Sequence, residues 1–452
     1  MKRRFAAVAA LGLVFAFVMP SAMGVSARSA AGHATKIGTR ASLPAGPADP
    51  FAKQDRKYRG QTITYYGGSV GTDHLADVPL AKAFTKSTGI KINIVEQPSG
   101  STDTIAHLQQ VFGSKSSSID VTRLDVVWPG VFGRYLVNVK KSLAADAKLE
   151  YKTLLKNDTV GGKLIAMPYQ GDFGMLYYRK DLLKKYKISK PPTTWSQLTS
   201  DAKKIQKGER KKNKNFWGFV FQGKSYEGLT CDGLEWLQSF GGGSFISSKG
   251  KVTVDNGNAK AAFTQAQKWV GSISPRGVTS YDEGAVANSF TGGNSAFARN
   301  WPYMDSQAIL KGTKVDGKVG VAPLPHGPHG KSSATVGGWQ VGVSKFSKHK
   351  GAAEAWARYY ASKAVQIWRA TYAGIVPTMP SVASVGSVKR AQPFLGPVGN
   401  HTKHVVRPST ILGSNYPKGS TYIFQALNSI LSGANVSSTL SALKAQLESL
   451  HP

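Results

Sequence analysis

The chain has 452 residues, of which 41% are hydrophobic and 10% aromatic; this is enough apolar material for two or three domains and excludes a wholly disordered chain. It carries 58 Lys and Arg against 25 Asp and Glu, a net charge of +33. The single cysteine, Cys231, excludes an internal disulfide, an iron–sulfur cluster and a Cys-rich zinc site.

The N-terminus resembles a secretory signal. Three basic residues at positions 2–4 precede an apolar stretch over 5–18, and Val25-Ser26-Ala27 fits a small-x-small cleavage pattern. We predict a signal peptide over residues 1–27, with an uncleaved anchor helix as the alternative. Residues 28–57 are rich in Ala, Gly, Pro and Ser and predict a flexible spacer.

The basic excess is spread along the chain. Its densest cluster, residues 203–214, is interrupted by Gln206, Gly208 and Asn213, which indicates a solvated helix end and loop. A basic balance often means a nucleic-acid partner, but this spread and the secretory signal argue against one. An acidic medium and an anionic cell envelope explain the charge equally well.

The first half of the chain alternates between strand and helix patterns. We predict strands over 61–66, 90–94 and 124–128, and helices over 79–88 and 104–112. Pro79 suits a first helical turn and Gly89 a helix end. This alternation predicts a parallel sheet, in which ligands bind beyond the carboxyl ends of the strands. Residues 67–73 and 125–130 are therefore candidate ligand loops.

The second half repeats the alternation. Strands are predicted over 164–169, 175–179, 216–221, 319–324 and 339–343. Helices are predicted over 195–206, capped by Thr194, and over 228–240, 258–270, 352–372, 422–432 and 438–450. The leucine stripe of the last helix indicates core packing.

Catalytic and metal signatures are weak. The sequence has no nucleophile elbow, phosphate-binding loop or HExxH zinc motif. The pairs His326/His329 and His401/His404 lack helical context and nearby carboxylates, so we expect free surface histidines, and no metal or cofactor. Asp172 and Glu227 remain a candidate glycosidase pair, because two carboxylates at a suitable separation suffice for that chemistry.

Several aromatic side chains lie at the ends of predicted elements. Trp301 precedes Pro302, and Trp339 follows Gly338, where a pocket rim and core packing are equally good interpretations. Sugar rings stack on aromatic faces, and their hydroxyls need charged, planar hydrogen-bonding partners. The sequence supplies such partners in Asp125, Asp172, Glu227 and Arg407.

Several stretches resemble one family. They are residues 124–130, 167–183, 192–195, 223–231, 299–303, 337–339 and 374–378. In them the chain is similar to the extracellular solute-binding proteins of carbohydrate ABC importers, the family that includes the maltose-binding proteins. Residues 226–231 and 301–303 resemble its trehalose/maltose-binding branch more narrowly. Together the stretches cover the chain from about residue 61 to the C-terminus.

The resemblance implies an α/β fold of two lobes, the type II periplasmic-binding-protein fold, with a hinge between them. Lobe 1 is expected to comprise 58–170 plus 319–363, and lobe 2 to comprise 171–318 plus 364–452. The crossings between lobes would fall near residues 170 and 319.

The resemblance also implies a ligand site. Acidic sugar contacts fall on Asp125 and Asp172, and a basic hydroxyl clamp falls on Arg407. The residues implied as aromatic platforms, with the glycine beside them, are Trp301, Tyr303, Gly338 and Trp339. Tyr226 and Glu227 match the motif. The branch has an acidic residue after its Tyr-Tyr-Gly turn, where this chain has Gly68 before Ser69. Ser69 is a candidate ligand contact in this loop, and Asp73 is the candidate substitute for the acidic residue.

The function implied is that of a sugar-binding protein, not an enzyme. It would be a secreted monomer at the extracytoplasmic face of the membrane or in the periplasm. It would bind an α-glucoside disaccharide such as trehalose or maltose, without a cofactor, and deliver it to ABC permease subunits that work with a cytoplasmic ATPase. A secreted glycoside hydrolase using Asp172 and Glu227 is the alternative, and an envelope adhesin held by charge is a third possibility.

Overall fold

A computed structural model describes residues 43–308 and 312–450. The predicted signal peptide, residues 1–27, and the predicted spacer up to residue 42 lie outside the described residues. In the two described ranges, no helix has the length and apolar content needed to span a bilayer.

Twelve strands occur in the described ranges. They are β1 Thr62–Gly67, β2 Lys91–Glu96, β3 Val121–Asp125, β4 Thr159–Val160, β5 Lys163–Leu164, β6 Met167–Phe173, β7 Met175–Arg179, β8 Trp217–Val220, β9 Ser295–Asn300, β10 Val319–Ala322, β11 Ser333–Val343 and β12 Lys403–Val405. β4 and β5 form a small hairpin of their own.

The helices lie between and after these strands. The α-helices of the described ranges are α1 Ala52–Asp55, α2 Asp73–Thr88, α3 Ser101–Gly113, α4 Pro129–Phe132, α5 Ala144–Ala147, α6 Lys152–Asn157, α7 Lys180–Lys185, α8 Trp195–Glu209, α9 Glu227–Ser239, α10 Gly257–Trp269, α11 Glu283–Thr291, α12 Tyr303–Ala308, α13 Lys350–Ala361, α14 Lys363–Tyr372, α15 Pro380–Ala383, α16 Gly386–Ala391, α17 Leu395–Gly399, α18 Ser409–Leu412, α19 Tyr416–Leu431 and α20 Val436–Glu448. Short 3₁₀ turns cover Arg56–Tyr58, Gly133–Tyr135, Arg276–Ser280 and Gly413–Asn415.

The first sheet has the order β12-β11-β3-β1-β2, with β6 on the other edge of β11. β1 pairs in parallel with β2 and β3, which confirms the parallel sheet predicted for the first half. β11 runs antiparallel to both β3 and β6. A strand from late in the chain is therefore built into the sheet formed by the early strands.

The second sheet has the order β10-β7-β9-β8. β7 is antiparallel to β9 and β10, whereas β8 and β9 are parallel. Only Gly174 separates β6 of the first sheet from β7 of the second. The chain thus passes from one lobe to the other along a nearly continuous extended segment.

The sheets correct two of the predicted lobe boundaries. β10 was expected to open the return to lobe 1 at residue 319, but it pairs with β7 in the second sheet, so the return falls between β10 and β11. α14 was assigned to lobe 2, but its Val365 and Trp368 pack in the same apolar cluster as Ile63 and Trp356 of the first lobe.

The predicted spacer is also corrected, because its described part packs on the first lobe. Trp368 Nε1 donates a hydrogen bond to the carbonyl of Ala45, and Tyr359 Oη donates to that of Pro47. Asp55 is buried and forms an ion pair with Arg358. The alanine and proline content of this segment suggested a flexible spacer, but side chains distant in sequence hold it against the first lobe.

Local chemistry explains where several helices begin and end. Thr194 caps α8 by accepting a hydrogen bond from the Gln197 amide, as predicted. The helix predicted over 352–372 is instead two helices, because Ser362 is extended and caps the second by accepting from Val365. α2 begins at Asp73, so Pro79 lies inside it rather than in its first turn. Because proline has no backbone N–H, the carbonyl of Leu75 lacks its helical hydrogen bond, and Leu75 is exposed.

A buried charge cluster lies beside β9 in the second lobe. Arg299 is 1% exposed and binds Glu235 at 2.6 Å and Asp232 at 3.1 Å. Its Nη1 also donates to Gln222 Oε1 at 3.3 Å. Removing one partner of such a buried pair leaves an uncompensated charge in a medium that cannot solvate it.

We predict that Arg299→Met lowers the free energy of unfolding by about 3–5 kcal/mol, the cost of stranding a buried carboxylate. Denaturant titration followed by tryptophan fluorescence measures this. Lys444→Met is the control, because the Lys444–Glu448 pair is 3.8 Å long and half-exposed, and we expect a change of no more than about 0.5 kcal/mol. Equal losses in the two variants would contradict the prediction.

Candidate functional site

A cavity lies at the carboxyl ends of three adjacent strands. Ser69, Val70 and Asp73 follow β1, residues 97–99 follow β2, and Asp125 is the last residue of β3. Neighbouring parallel strands end at the same sheet edge, so their loops meet there. Of the predicted ligand loops, residues 67–73 contribute these three side chains, and residues 125–130 contribute Asp125.

The second lobe supplies the opposite wall. α9 contributes Glu227, Gly228 and Cys231. The other contributions are Glu283 at the start of α11, Trp301 and Tyr303 after β9, and Arg407 after β12. Gln170 and Asp172 of β6 and residues 337–339 of β11 lie between the walls. The space between these residues is about 800 Å³, which includes the part that is open to solvent.

The structure brings ten of the eleven predicted site residues to this cavity. They are Ser69, Asp73, Asp125, Asp172, Glu227, Trp301, Tyr303, Gly338, Trp339 and Arg407. Tyr226 is the exception: it is buried at the N-terminal boundary of α9 and does not line the cavity. Its place in the motif marks the start of the helix that carries Glu227.

Arg407 connects the two walls. Its Nη2 lies 2.9 Å from Asp125 Oδ1, and its Nη1 lies 2.7 Å from Glu227 Oε1. Glu227 also accepts hydrogen bonds from the hydroxyls of Tyr416 and Ser420. With three protein partners, the Glu227 carboxylate positions Arg407 rather than offering a free acceptor to the cavity.

Asp172 has a different environment. Its Oδ2 accepts a hydrogen bond from Gln170 Nε2 at 3.0 Å, and no Lys or Arg of the described ranges forms an ion pair with it. Burial, reinforced by the nearby negative charge of Asp73, raises the pKa of Asp172 to about 8. It is therefore a hydrogen-bonding carboxyl group without a counter-ion.

Both tryptophans of the cavity have an arginine over the ring. The Arg299 guanidinium lies 4.0 Å from the Trp301 ring centre, and Trp301 Nε1 donates to Glu283 Oε1 at 3.3 Å. The Arg123 guanidinium lies 3.4 Å from the Trp339 ring centre. These contacts fix the ring orientations, because cation–π contacts strengthen when they are desolvated.

Gly338 is required by the backbone between the walls. Its φ is +132°, in the region where side chains are strained, and a Cβ there would lie 2.5 Å from the Gln170 carbonyl oxygen. Its own carbonyl accepts a hydrogen bond from the Val126 amide at 3.0 Å. The glycine thus allows β11 to approach β6 closely where Trp339 enters the cavity.

Several buried polar atoms on residues that line the cavity have no hydrogen-bond partner among residues 43–308 and 312–450. They are Ser69 Oγ, Arg123 Nε, Gln170 Oε1, Tyr303 Oη and Arg407 Nε. Unpaired buried groups are expensive, so such a cluster of donors and acceptors is typical of a site that binds a polar ligand. A neutral, polyhydroxylated molecule has the matching chemistry.

Sequence reasoning missed several polar residues of the cavity. Gln97, Arg123, Gln170 and Glu283 all line it. Arg123 carried a usable signal, since it is a charged residue inside a buried strand, between Thr122 and Leu124. Glu283 carried none, because its place depends on how α11 packs against β9.

No group of metal-ligating side chains suited to an ion occurs in residues 43–308 and 312–450. Cys231 lies at the cavity wall but is 2% exposed, and burial raises the pKa of its thiol. It behaves as a small buried side chain.

Comparison with known proteins places the chain among transport proteins. The family model for bacterial extracellular solute-binding proteins matches residues 69–367. A probable ABC transporter-binding protein of Deinococcus radiodurans is 45% identical over 372 residues, which are 82% of this chain and 89% of that protein. The maltodextrin-binding protein MdxE of Bacillus subtilis is 31% identical over 218 residues, 46% of this chain and 48% of that protein.

The fold agrees with this assignment. The solved structure of maltose-bound MalE3 from T. maritima superposes with a TM-score of 0.81 at 34% identity, covering 86% of this chain and 100% of that one. The relatives are binding proteins of transporters, not enzymes. With its two α/β lobes and the cavity between them, the chain belongs to the family of bacterial extracellular solute-binding proteins.

Proposed function

We propose that the protein is the extracytoplasmic binding component of an ABC sugar importer, and that it binds an α-glucoside disaccharide such as maltose or trehalose. It carries the sugar as a secreted monomer to permease subunits in the membrane, which a cytoplasmic ATPase drives. The observation that supports this most is the cavity between the lobes, which combines unpaired buried hydrogen-bonding atoms with two tryptophans.

The contacts suit a neutral sugar. Asp172 offers a carboxyl group without a counter-ion, and the Nε–H of Arg407, which also lines the cavity, has no partner among the described residues. Asp125 and Glu227 already bind the guanidinium of Arg407, so part of their hydrogen-bonding capacity is used within the protein. A ligand that brings hydroxyl groups rather than a net charge satisfies these groups without stranding any of them.

The relatives point the same way. The maltose-bound MalE3 structure, at 34% identity, aligns along its whole length. The Bacillus subtilis relative is a maltodextrin-binding protein. Maltose and maltodextrins both consist of linked glucose units, and we propose the same substrate class for this chain.

The glycoside hydrolase alternative is less well supported. The pKa of Asp172 is raised, which suits a general acid, but such an acid needs a free carboxylate partner across the sugar. Glu227 accepts from Arg407, Tyr416 and Ser420, and Asp125 pairs with Arg407. Neither carboxylate is free to act as a nucleophile or base, so we propose binding without turnover.

A thermal-shift measurement tests the proposed substrate class. In a thermal-shift panel of mono- and disaccharides, we expect maltose or trehalose to raise the melting temperature, and glucose to raise it less. A ligand that binds only the folded state stabilises it by RT ln(1+[L]/Kd), about 2.7 kcal/mol at 100 times Kd. Chromatography of the incubated sugar should return it intact. Release of glucose would favour the hydrolase, and no shift with any sugar would refute the proposal.

A second prediction concerns Trp301 as a sugar platform. We expect Trp301→Ala to weaken disaccharide binding by about 2–4 kcal/mol, as truncation of a central aromatic does, while the protein stays folded. Isothermal titration calorimetry measures the affinity. Trp217→Ala is the matched control, because Arg210 lies 4.0 Å from the Trp217 ring centre but Trp217 does not line the cavity. Unchanged affinity in Trp301→Ala would show that Trp301 is only a core residue.

A third prediction uses the raised pKa of Asp172. An aspartate in the unfolded chain titrates near 3.8, whereas in the folded protein the pKa is about 8. Between these values the folded state holds a proton that the unfolded state has lost, so stability falls as pH rises. Asp172→Asn lacks this proton. We therefore expect the variant's stability relative to the wild type to increase steadily from pH 5 to pH 8 in thermal melts.

Glu150→Gln separates this effect from the site itself. Burial also raises the pKa of Glu150 to about 8, but Glu150 does not line the cavity. It should show the same pH trend as Asp172→Asn and keep full sugar affinity, whereas Asp172→Asn should lose affinity. A stability difference for Asp172→Asn that does not change with pH would contradict the assigned protonation.

A further inference from the structure

We propose that the Arg123–Asp73 pair is a specificity-determining element of the cavity, which recognises one hydroxyl group of the bound sugar. The inference rests on the proposed function and extends it to a pair of side chains. Arg123 has no counterpart among the site residues that the family resemblance implies.

The pair is buried and oriented. Arg123 projects from β3 with a side chain that is 4% exposed, and its Nη1 donates to Asp73 Oδ2, whose side chain is 7% exposed. Both residues line the cavity. Among the described residues, Arg123 Nε has no hydrogen-bond partner. The pair therefore combines a guanidinium that has an unpaired N–H with a carboxylate, on two residues that line the cavity.

Gly68 makes room for this pair. A Cβ at position 68 would overlap Arg123 Nη1 and lie 2.6 Å from Asp73 Oδ2. The acidic side chain that the trehalose/maltose branch resemblance leads one to expect after the Tyr-Tyr-Gly turn has no space here. Arg123 occupies that volume, so a donor stands where an acceptor was expected, and Asp73 supplies the acceptor from the side.

Trp339 holds the guanidinium in place. Arg123 lies 3.4 Å from the Trp339 ring centre, and Trp128 packs edge-on at 5.9 Å. One face of Trp339 is thus covered by Arg123, as one face of Trp301 is covered by Arg299. In this inference Trp339 is a positioning residue for Arg123, and the Trp301→Ala variant tests Trp301 as the platform.

A fixed donor beside a fixed acceptor recognises a group that both accepts and donates. A sugar hydroxyl does both: it accepts from Arg123 and donates to Asp73. Sites built to hydrogen-bond a substrate hydroxyl reject the analogue that lacks it, because their own buried groups are left unpaired. The pair should therefore discriminate strongly at a single ring position.

The test is a set of monodeoxy analogues of maltose and of trehalose, titrated by calorimetry. For the wild type, we expect one analogue of the bound disaccharide to lose at least about tenfold in affinity relative to the parent sugar. In the neutral double variant Arg123→Met with Asp73→Asn, that parent-to-analogue ratio should fall toward one, because the hydroxyl no longer has its partners.

Two further variants keep the test decisive. Gly68→Ala leaves both side chains in the protein but displaces the guanidinium, and it should lower the same ratio. Arg358→Met with Asp55→Asn is the matched control, since Arg358 pairs with buried Asp55 and lies 4.7 Å from the Phe51 ring centre, away from the cavity. The control should keep the wild-type ratio.

The outcomes separate the two proposals. A wild type that binds neither disaccharide would overturn the proposed function and this inference with it. A wild type that binds sugar, with the same parent-to-analogue ratio in the Arg123 and Gly68 variants, would overturn this inference alone. The Arg123–Asp73 pair would then have only a structural role.

Discussion

The cavity depends on one cation that is shared between the lobes. Arg407 binds Asp125 at the end of β3 and Glu227 at the start of α9, so a single guanidinium joins the first sheet to the second lobe. An arginine suits this role because its planar fork donates to two carboxylates at once. Without it, two buried carboxylates would face each other across the cavity.

Three other buried arginines each pair with a carboxylate and also lie over an aromatic ring. Arg123 pairs with Asp73 and lies over Trp339, Arg299 pairs with Glu235 and lies over Trp301, and Arg369 pairs with Asp77 and lies 4.0 Å from the Tyr360 ring centre. Each cation thus has a carboxylate at its edge and an aromatic ring under its face. Such pairs add little net stability compared with apolar packing, but they fix orientation.

The buried arginines connect the stability of the protein with the recognition of its ligand. Arg299 pairs with Asp232 and Glu235 in the second lobe and also orients Trp301 in the cavity. The apolar packing of the two lobes supplies most of the folding free energy. The buried charges then place the hydrogen-bonding atoms of the site in defined directions.

The sequence allowed much of the fold to be predicted, and the reasons are local. Thr194 before one amphipathic stretch and Gly89 after another are chemical signals of helix ends. In the structure α8 begins directly after Thr194, and α2 ends directly before Gly89. Ser362 was missed, because its break in a continuous helical pattern depends on how two helices pack. The described part of the spacer was missed because its partners, Arg358 and Trp368, are distant in sequence.

The site was predicted mainly through resemblance to a family. Topology placed ligand loops after β1 and β3, and the cavity lies there. Residue patterns alone left Trp301 and Trp339 undecided between rim and core. What no pattern revealed is that Arg123 takes the volume next to Gly68, since that depends on a side chain from another strand.

The position of β11 in the first sheet affects how the chain acquires its structure. β3 pairs on one edge with β1, close in sequence, and on the other with β11, from the last third of the chain. Until β11 arrives, β3 has an unpaired edge, which is an aggregation risk for any incompletely synthesised chain. Such distant pairings are also slow to form, because a long loop must close first. The strand that completes the cavity is thus also the one that ends the interval in which the nascent protein is vulnerable.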